Sequence, residues 1–241
     1  METDRRYMTA AQADAALIDV GLRQHMLRVY NYMASGLALT GLIAYVAATY
    51  ALSDPQVRYL LYVSPLKWVI MLAPVAVVFL FAARIQQMSF GAAQGVFWLY
   101  AGLMGLSLSS IFLIFTGESI ARVFFITAGA FAATSLWGYT TQRDLSSFGS
   151  FLFMGLIGIV LASLVNMFIG SSALQFAISV IGVLVFTGLT AYDTQAIKEE
   201  YSEIYDDGTV GKLAIMGALR LYLDFINLFV MLLQLFANQR D

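Results

Sequence analysis

The chain has 241 residues, 60% of them hydrophobic and only 12% charged, and a formal net charge of −2; its mean hydropathy is +0.78. A soluble domain carries about 25% charged residues, so this composition belongs to an integral membrane protein. The absence of cysteine and the single histidine, His25, exclude a disulfide framework, a Cys-ligated metal site and a His-based metal cluster. No basic tract is longer than Arg5-Arg6, and no Gly-x-x-x-x-Gly-Lys loop is present, so neither nucleic-acid binding nor nucleotide-driven pumping is expected.

Residues 1–27 are polar, with Arg5, Arg6, Asp14, Asp19 and Arg23 standing ahead of the first long apolar run. They lack the apolar core of a signal peptide and read as a short, solvated cytoplasmic arm with weak amphipathic character. Residues 28–241 then form the membrane domain. A helix needs about 20 apolar residues to cross the hydrocarbon layer. Seven segments approach that length: Val29 to Tyr50, Leu66 to Ala83, Gln94 to Phe115, Ser119 to Thr140, Phe148 to Ile169, Ala173 to Asp193 and Ala214 to Phe236. The fold class that follows is an all-α integral membrane protein of seven transmembrane helices.

Pro74 within the second segment should bend that helix, because it removes a backbone donor and crowds the preceding turn. Small residues recur at four-residue spacing in the third segment, at Ala101, Gly105 and Ser109, a face that lets neighbouring helices approach closely. Glu118 and Arg122, one turn apart at the start of the fourth, read as a surface ion pair. The longest connection, Thr194 to Leu213, holds the dense charge cluster that includes Lys198, Glu199, Glu200 and Glu203, whose glutamates read as solvated. With the N-terminus inside, Arg5, Arg6, Arg23, Arg28, Arg84, Arg143, Lys198 and Lys212 collect on the cytoplasmic side, against Arg58, Lys67, Arg122 and Arg240 outside. That imbalance sets the orientation, and seven spans then put the C-terminus outside; a re-entrant last segment would return it to the cytoplasm.

The last two segments each carry an aspartate that a lipid-facing helix does not tolerate: Asp193 near the end of the sixth and Asp224 about ten residues into the seventh. Such carboxyls cost several kcal/mol unless paired or wetted, which makes them candidates for function. Asp224 falls near the bilayer midplane, and Asn227, three residues on, shares its face. Antiparallel neighbours joined on the cytoplasmic side would bring the two carboxyls together. In low dielectric they would share a proton and titrate as one coupled pair. Protonated, the pair ties two helices together; doubly ionised, it repels unless a cation arrives, and oxygen-only ligands suit a hard cation such as Ca²⁺. Arg84, at the cytoplasmic end of the second segment, is a candidate competing cation, or an ordinary interfacial arginine. Arg220 stands four residues before Asp224 on the same face and could neutralise it instead.

The runs Ala191-Tyr192-Asp193-Thr194-Gln195 and Leu221-Tyr222-Leu223-Asp224-Phe225-Ile226-Asn227-Leu228-Phe229 resemble the C-terminal signature of the Bax inhibitor-1 family, also called the transmembrane Bax inhibitor motif family, in its bacterial branch. Met104-Gly105-Leu106-Ser107-Leu108-Ser109, and Trp137-Gly138-Tyr139-Thr140-Thr141 running into Arg143-Asp144-Leu145-Ser146, extend the resemblance over residues 25 to 236. It implies six helices around a central last helix, a multi-pass protein of the bacterial inner membrane, and a pH-sensitive calcium leak with no tightly bound cofactor. In that reading Asp193 and Asp224 bind and gate the ion, Arg84 stands by position where the family has a contacting arginine, and Arg220 and Asn227 modulate the pair. Its partners are the lipid bilayer, Ca²⁺ and protons. Two other readings compete. A non-conducting regulator would bind a membrane protease or other membrane complex through the polar arm. An intramembrane aspartyl protease would use the same two carboxyls, but Leu221-Tyr222-Leu223 stands before Asp224 where those enzymes have Gly-x-Gly.

Overall fold

In a computed structural model, residues 10–202 and 206–238 are described, with side chains from residue 20 onward. The helices are α1 Ala10–Ser53, α2 Pro55–Tyr62, α3 Leu66–Arg84, α4 Phe90–Leu108, α5 Ile111–Ile114, α6 Gly117–Thr140, α7 Ser146–Ile169, α8 Ser172–Glu200 and α9 Asp207–Phe236. Seven stretches of them are long and apolar enough to cross a membrane, one for each expected segment. Arg5, Arg6, Glu203 and Arg240 lie outside the described residues, as do the side chains of Asp14 and Asp19.

Helix starts follow side-chain chemistry. Asp54, Ser89, Thr116, Ser171 and Asp206 each accept a backbone N–H of the first turn beyond them. α7 ends on Gly170, whose φ of 65° is the left-handed conformation that glycine adopts without steric cost. The helices outrun the apolar segments. α1 runs on from Ala10 with no break at residue 27, α8 continues two turns past Asp193 to Glu200, and α9 begins at Asp207. The expected long connection between the last two segments therefore shrinks to Tyr201–Asp206, because hydropathy reports the bilayer's thickness and not where a solvated helix ends. The third segment is interrupted instead. Ser109 N and Oγ both bond back to the Leu106 carbonyl at 3.3 and 2.6 Å, and Tyr62 OH lies 2.7 Å from the same Oγ. That tightened turn separates α4 from α5.

α9 is the axis of the bundle. Its spanning window is 67% buried, against 17–39% for the other six, and α1, α4, α6 and α8 make its principal contacts, while α3 packs chiefly on α4 and α7 on α8. The small-residue face of α4 meets α1 as its spacing required. Thr40 Oγ1 donates to the Ala101 carbonyl at 2.9 Å, and a Cβ at Gly105 would stand 2.7 Å from the Thr40 carbonyl oxygen. The same hydroxyl lies 2.7 Å from Tyr222 OH and so ties α1 to the central helix.

α9 crosses the whole bundle. Near its start Lys212 Nζ donates to the Gln86 carbonyl between α3 and α4 at 3.4 Å. Past its end Asn238 accepts from Thr116 N and donates to Ser119 Oγ, both at 3.2 Å, at the start of α6. The His25 ring lies 5.3 Å from Tyr201, so the early turns of α1 share an end with the α8–α9 connection. The last described residues are therefore at the opposite end of the bundle from the early turns of α1.

Candidate functional site

α8 and α9 run antiparallel and make the most extensive helix pair in the molecule. Asp193 stands seven residues before the end of α8, about 10 Å along the axis, and Asp224 seventeen residues after the start of α9, about 26 Å. Asp224 is thus near the middle of the central helix. It is 4% exposed, and Asp193 is partly buried.

The two carboxyls come together at one cavity and interact with each other electrostatically. No N–H or hydroxyl of the described residues reaches Asp224 Oδ2, which is fully buried. A buried carboxyl oxygen with no such donor in reach, beside a second carboxyl, is satisfied by a proton on the pair or by a cation. The antiparallel pairing of α8 and α9 thus brings Asp193 and Asp224 to one place in the fold.

Both carboxyls line a cavity of about 510 Å³ between α7, α8 and α9, together with Ser150, Tyr192, Arg220 and Asn227. Tyr192 is held over Gly149, where a Cβ would stand 2.7 Å from its ring, so the closeness of α7 positions the wall beside Asp193. Asn227 Nδ2 donates to the Leu223 carbonyl at 2.8 Å, which leaves its amide oxygen as the group to offer the cavity.

Arg220 does not close onto Asp224. Its Nη1 donates to Glu200 Oε1 at 2.7 Å, with both side chains about one-third exposed. Glu200 is accordingly not a freely solvated member of the loop cluster: the extension of α8 carries it back to α9, where it holds the guanidinium at the edge of the pair. By contrast, Glu118 and Arg122 form the exposed surface pair expected of them, at 2.8 Å. Arg84 is exposed at the end of α3, makes no ion pair among the described residues and does not line the cavity, so it is not brought to the dyad.

Several groups around the pair carried no sequence signal. Thr194, next to Asp193, lies 2.9 Å from Ser135 Oγ, which lies 2.6 Å from Tyr30 OH. This hydroxyl chain links α8, α6 and α1 across separations of 59 and 105 residues. Gln195 accepts from Leu145 N at 2.8 Å and donates to the Arg143 carbonyl at 2.9 Å, while Lys198 Nζ donates to the Tyr139 carbonyl at 3.0 Å. The end of α8 is therefore fastened to the α6–α7 connection. The second half of the resemblance motif, Trp137 to Ser146, is the segment that receives it.

The family model described as "Inhibitor of apoptosis-promoting Bax1" matches residues 22–241. The chain belongs to the Bax inhibitor-1 family. Within it, the protein is 50% identical to the inner membrane protein YbhL of Escherichia coli (strain K12) over 223 residues, covering 91% of this chain and 94% of that one. It is 51% identical to a protein of Rickettsia prowazekii (strain Madrid E), covering 92% and 93%. It is 36% identical to a membrane protein of Streptococcus pyogenes, covering 91% and 95%. The family description names an inhibitor and no enzyme. Both aspartates, Glu200 and Arg220 fall inside the matched residues of this Bax inhibitor-1 family chain.

Proposed function

We propose that the protein is a passive, proton-gated cation leak, chiefly for Ca²⁺, of a bacterial inner membrane, with Asp193 and Asp224 as its gate. The observation that carries this reading is the buried carboxyl pair with no other donor at Asp224 Oδ2. A proton between the carboxyls ties α8 to α9 and closes the path beside them. Its loss leaves two like charges in a low-dielectric site, which repel until a cation enters. The cation's oxygen ligands are then the two carboxylates, with the Asn227 amide and the Ser150 hydroxyl at the cavity wall. Two carboxylates make a site of modest charge, suited to an ion in passage rather than a resident one. Arg220, restrained by Glu200, is the charge that opposes the cation.

The orientation that fits is an N-terminus in the cytoplasm. Among the described residues Arg23, Arg28, Arg84, Arg143, Lys198 and Lys212 lie toward the end of the α8–α9 connection, and Arg58, Lys67 and Arg122 toward the other. The cavity with the carboxyl pair then opens on the cytoplasmic half. The reading is tested by Ca²⁺ flux into proteoliposomes across pH 6 to 8. The unmodified protein is expected to conduct with a pH-dependent rate, and Asp224→Asn to flatten that dependence. Flux with an unaltered pH profile in the variant would remove the dyad from the mechanism.

A further inference from the structure

The ring of helices around α9 is not closed. α1 and α6 both pack along α9, yet they barely touch each other. Among the described residues one hydrogen bond crosses their seam, between Tyr30 OH and Ser135 Oγ. Two cavities run along it, one of about 810 Å³ from Arg23 to Ala38 of α1 and one of about 420 Å³ reaching Tyr45, with Phe124 and Phe225 common to both. Phe225 belongs to α9 and forms the floor, with its ring 5.5 Å from Phe124 and 5.6 Å from Phe131. From Arg23 to Tyr45 the seam is about 33 Å long, close to the thickness of the bilayer's hydrocarbon core of about 30 Å.

The larger cavity is a long, apolar groove of about 810 Å³. It runs roughly 22 Å from Arg23 to Ala38. The walls are apolar or hydroxylic apart from one cation, Arg23, exposed at the end near the α8–α9 connection and in no ion pair among the described residues. An arginine at the mouth of an apolar groove, close to the start of a candidate span, presents a planar set of donors matched to a phosphate.

We infer that the α1–α6 seam is a phospholipid site: a lipid of the leaflet on the Arg23 side lays an acyl chain along the groove to Phe225 and places its phosphate on Arg23. The bound chain completes the wall of the bundle at Phe225, the residue next to Asp224 in sequence. The site does not depend on conduction, because its ligand is recognised by an apolar groove and one guanidinium.

Native mass spectrometry of the detergent-solubilised full chain, titrated with dioleoyl phosphatidylglycerol and with dioleoylglycerol, tests this directly. The unmodified protein is expected to retain one phospholipid and to discriminate against dioleoylglycerol, which lacks the phosphate. Arg23→Gln, an exposed change, should weaken retention about tenfold, the usual worth of a hydrogen bond to a charged group. Ala132→Trp, which fills the groove, should abolish it, while Leu164→Trp on the lipid-facing side of α7 should not matter. Equal retention by the Arg23 and Ala132 variants would overturn the inference. So would a second protein copy that the unmodified chain binds and Ala132→Trp sheds, since the groove would then hold a helix. If Ala132→Trp fails to fold, the Arg23 and dioleoylglycerol arms still decide.

Discussion

Replacing Glu200 by Gln should leave the fold almost untouched and suppress cation passage. The Glu200–Arg220 bridge is 2.7 Å long but about one-third exposed at both side chains, so as a structural contact it contributes no more than about 1 kcal/mol. Its electrostatic role is larger, because it cancels a positive charge one turn from Asp224. At the 6 Å or so that separates residues four apart on a helix, and an effective dielectric of about 20, a bare guanidinium acts on a unit charge at the pair with about 3 kcal/mol. Solvent access to the cavity halves this, which leaves about 1.4 kcal/mol, or a tenfold loss of cation occupancy. Flux of Ca²⁺ in proteoliposomes at pH 7.5 should fall about tenfold in Glu200→Gln and recover in the Glu200→Gln/Arg220→Gln double variant. Unchanged flux in Glu200→Gln, with the protein shown to be folded, would refute the view that Glu200 screens Arg220 from the site.

Other expectations follow from single contacts. Gly105→Val should destabilise the bundle by about 1–3 kcal/mol, read by unfolding in mixed micelles, because its side chain meets the Thr40 carbonyl and Ile43 across the α1–α4 contact. Tyr222→Phe should cost about 1 kcal/mol in the same assay, since it removes the hydroxyl 2.7 Å from Thr40 Oγ1 while Thr40 keeps its bond to Ala101. Asp206, outside the spans, caps α9, and its carboxyl is held below the ordinary aspartate range first by the Thr209 hydroxyl and then by backbone N–H groups. A depressed folded value means that the cap contributes above the unfolded pKa of about 3.9 and is lost as pH falls through the folded value. Asp206→Asn should therefore lower the melting temperature at pH 7 and cease to differ from the unmodified protein near pH 2.

The seven spans were legible because each apolar run is as long as the bilayer is thick, and the carboxyl pair was legible because Asp193 and Asp224 are the residues such runs should not contain. The ends of the helices were not. Gln195 to Glu200 is too polar to register as a span, yet it continues α8, since Gln195 and Lys198 find carbonyl and N–H partners on the α6–α7 connection. That hidden extension also concealed the partner of Arg220. Asp224 is the near neighbour along the chain, but Glu200, twenty residues away, is the one in reach. Arg84 shows the opposite error, because its position at a helix end matched the family pattern while the packing of α3 on α4 leaves it exposed and off the cavity. The open α1–α6 seam has no signature at all, for Ala34, Ala38, Ala128 and Ala132 would equally suit two helices in close contact.

The central claim is that Asp193 and Asp224 act as one unit, and a double-mutant cycle on flux tests it most directly. Ca²⁺ flux across pH 6 to 8 should lose its pH dependence to the same extent in Asp193→Asn, in Asp224→Asn and in the double variant, because either change already removes the shared proton. Two independent, multiplying effects, or a pH profile that survives in the double variant, would contradict it.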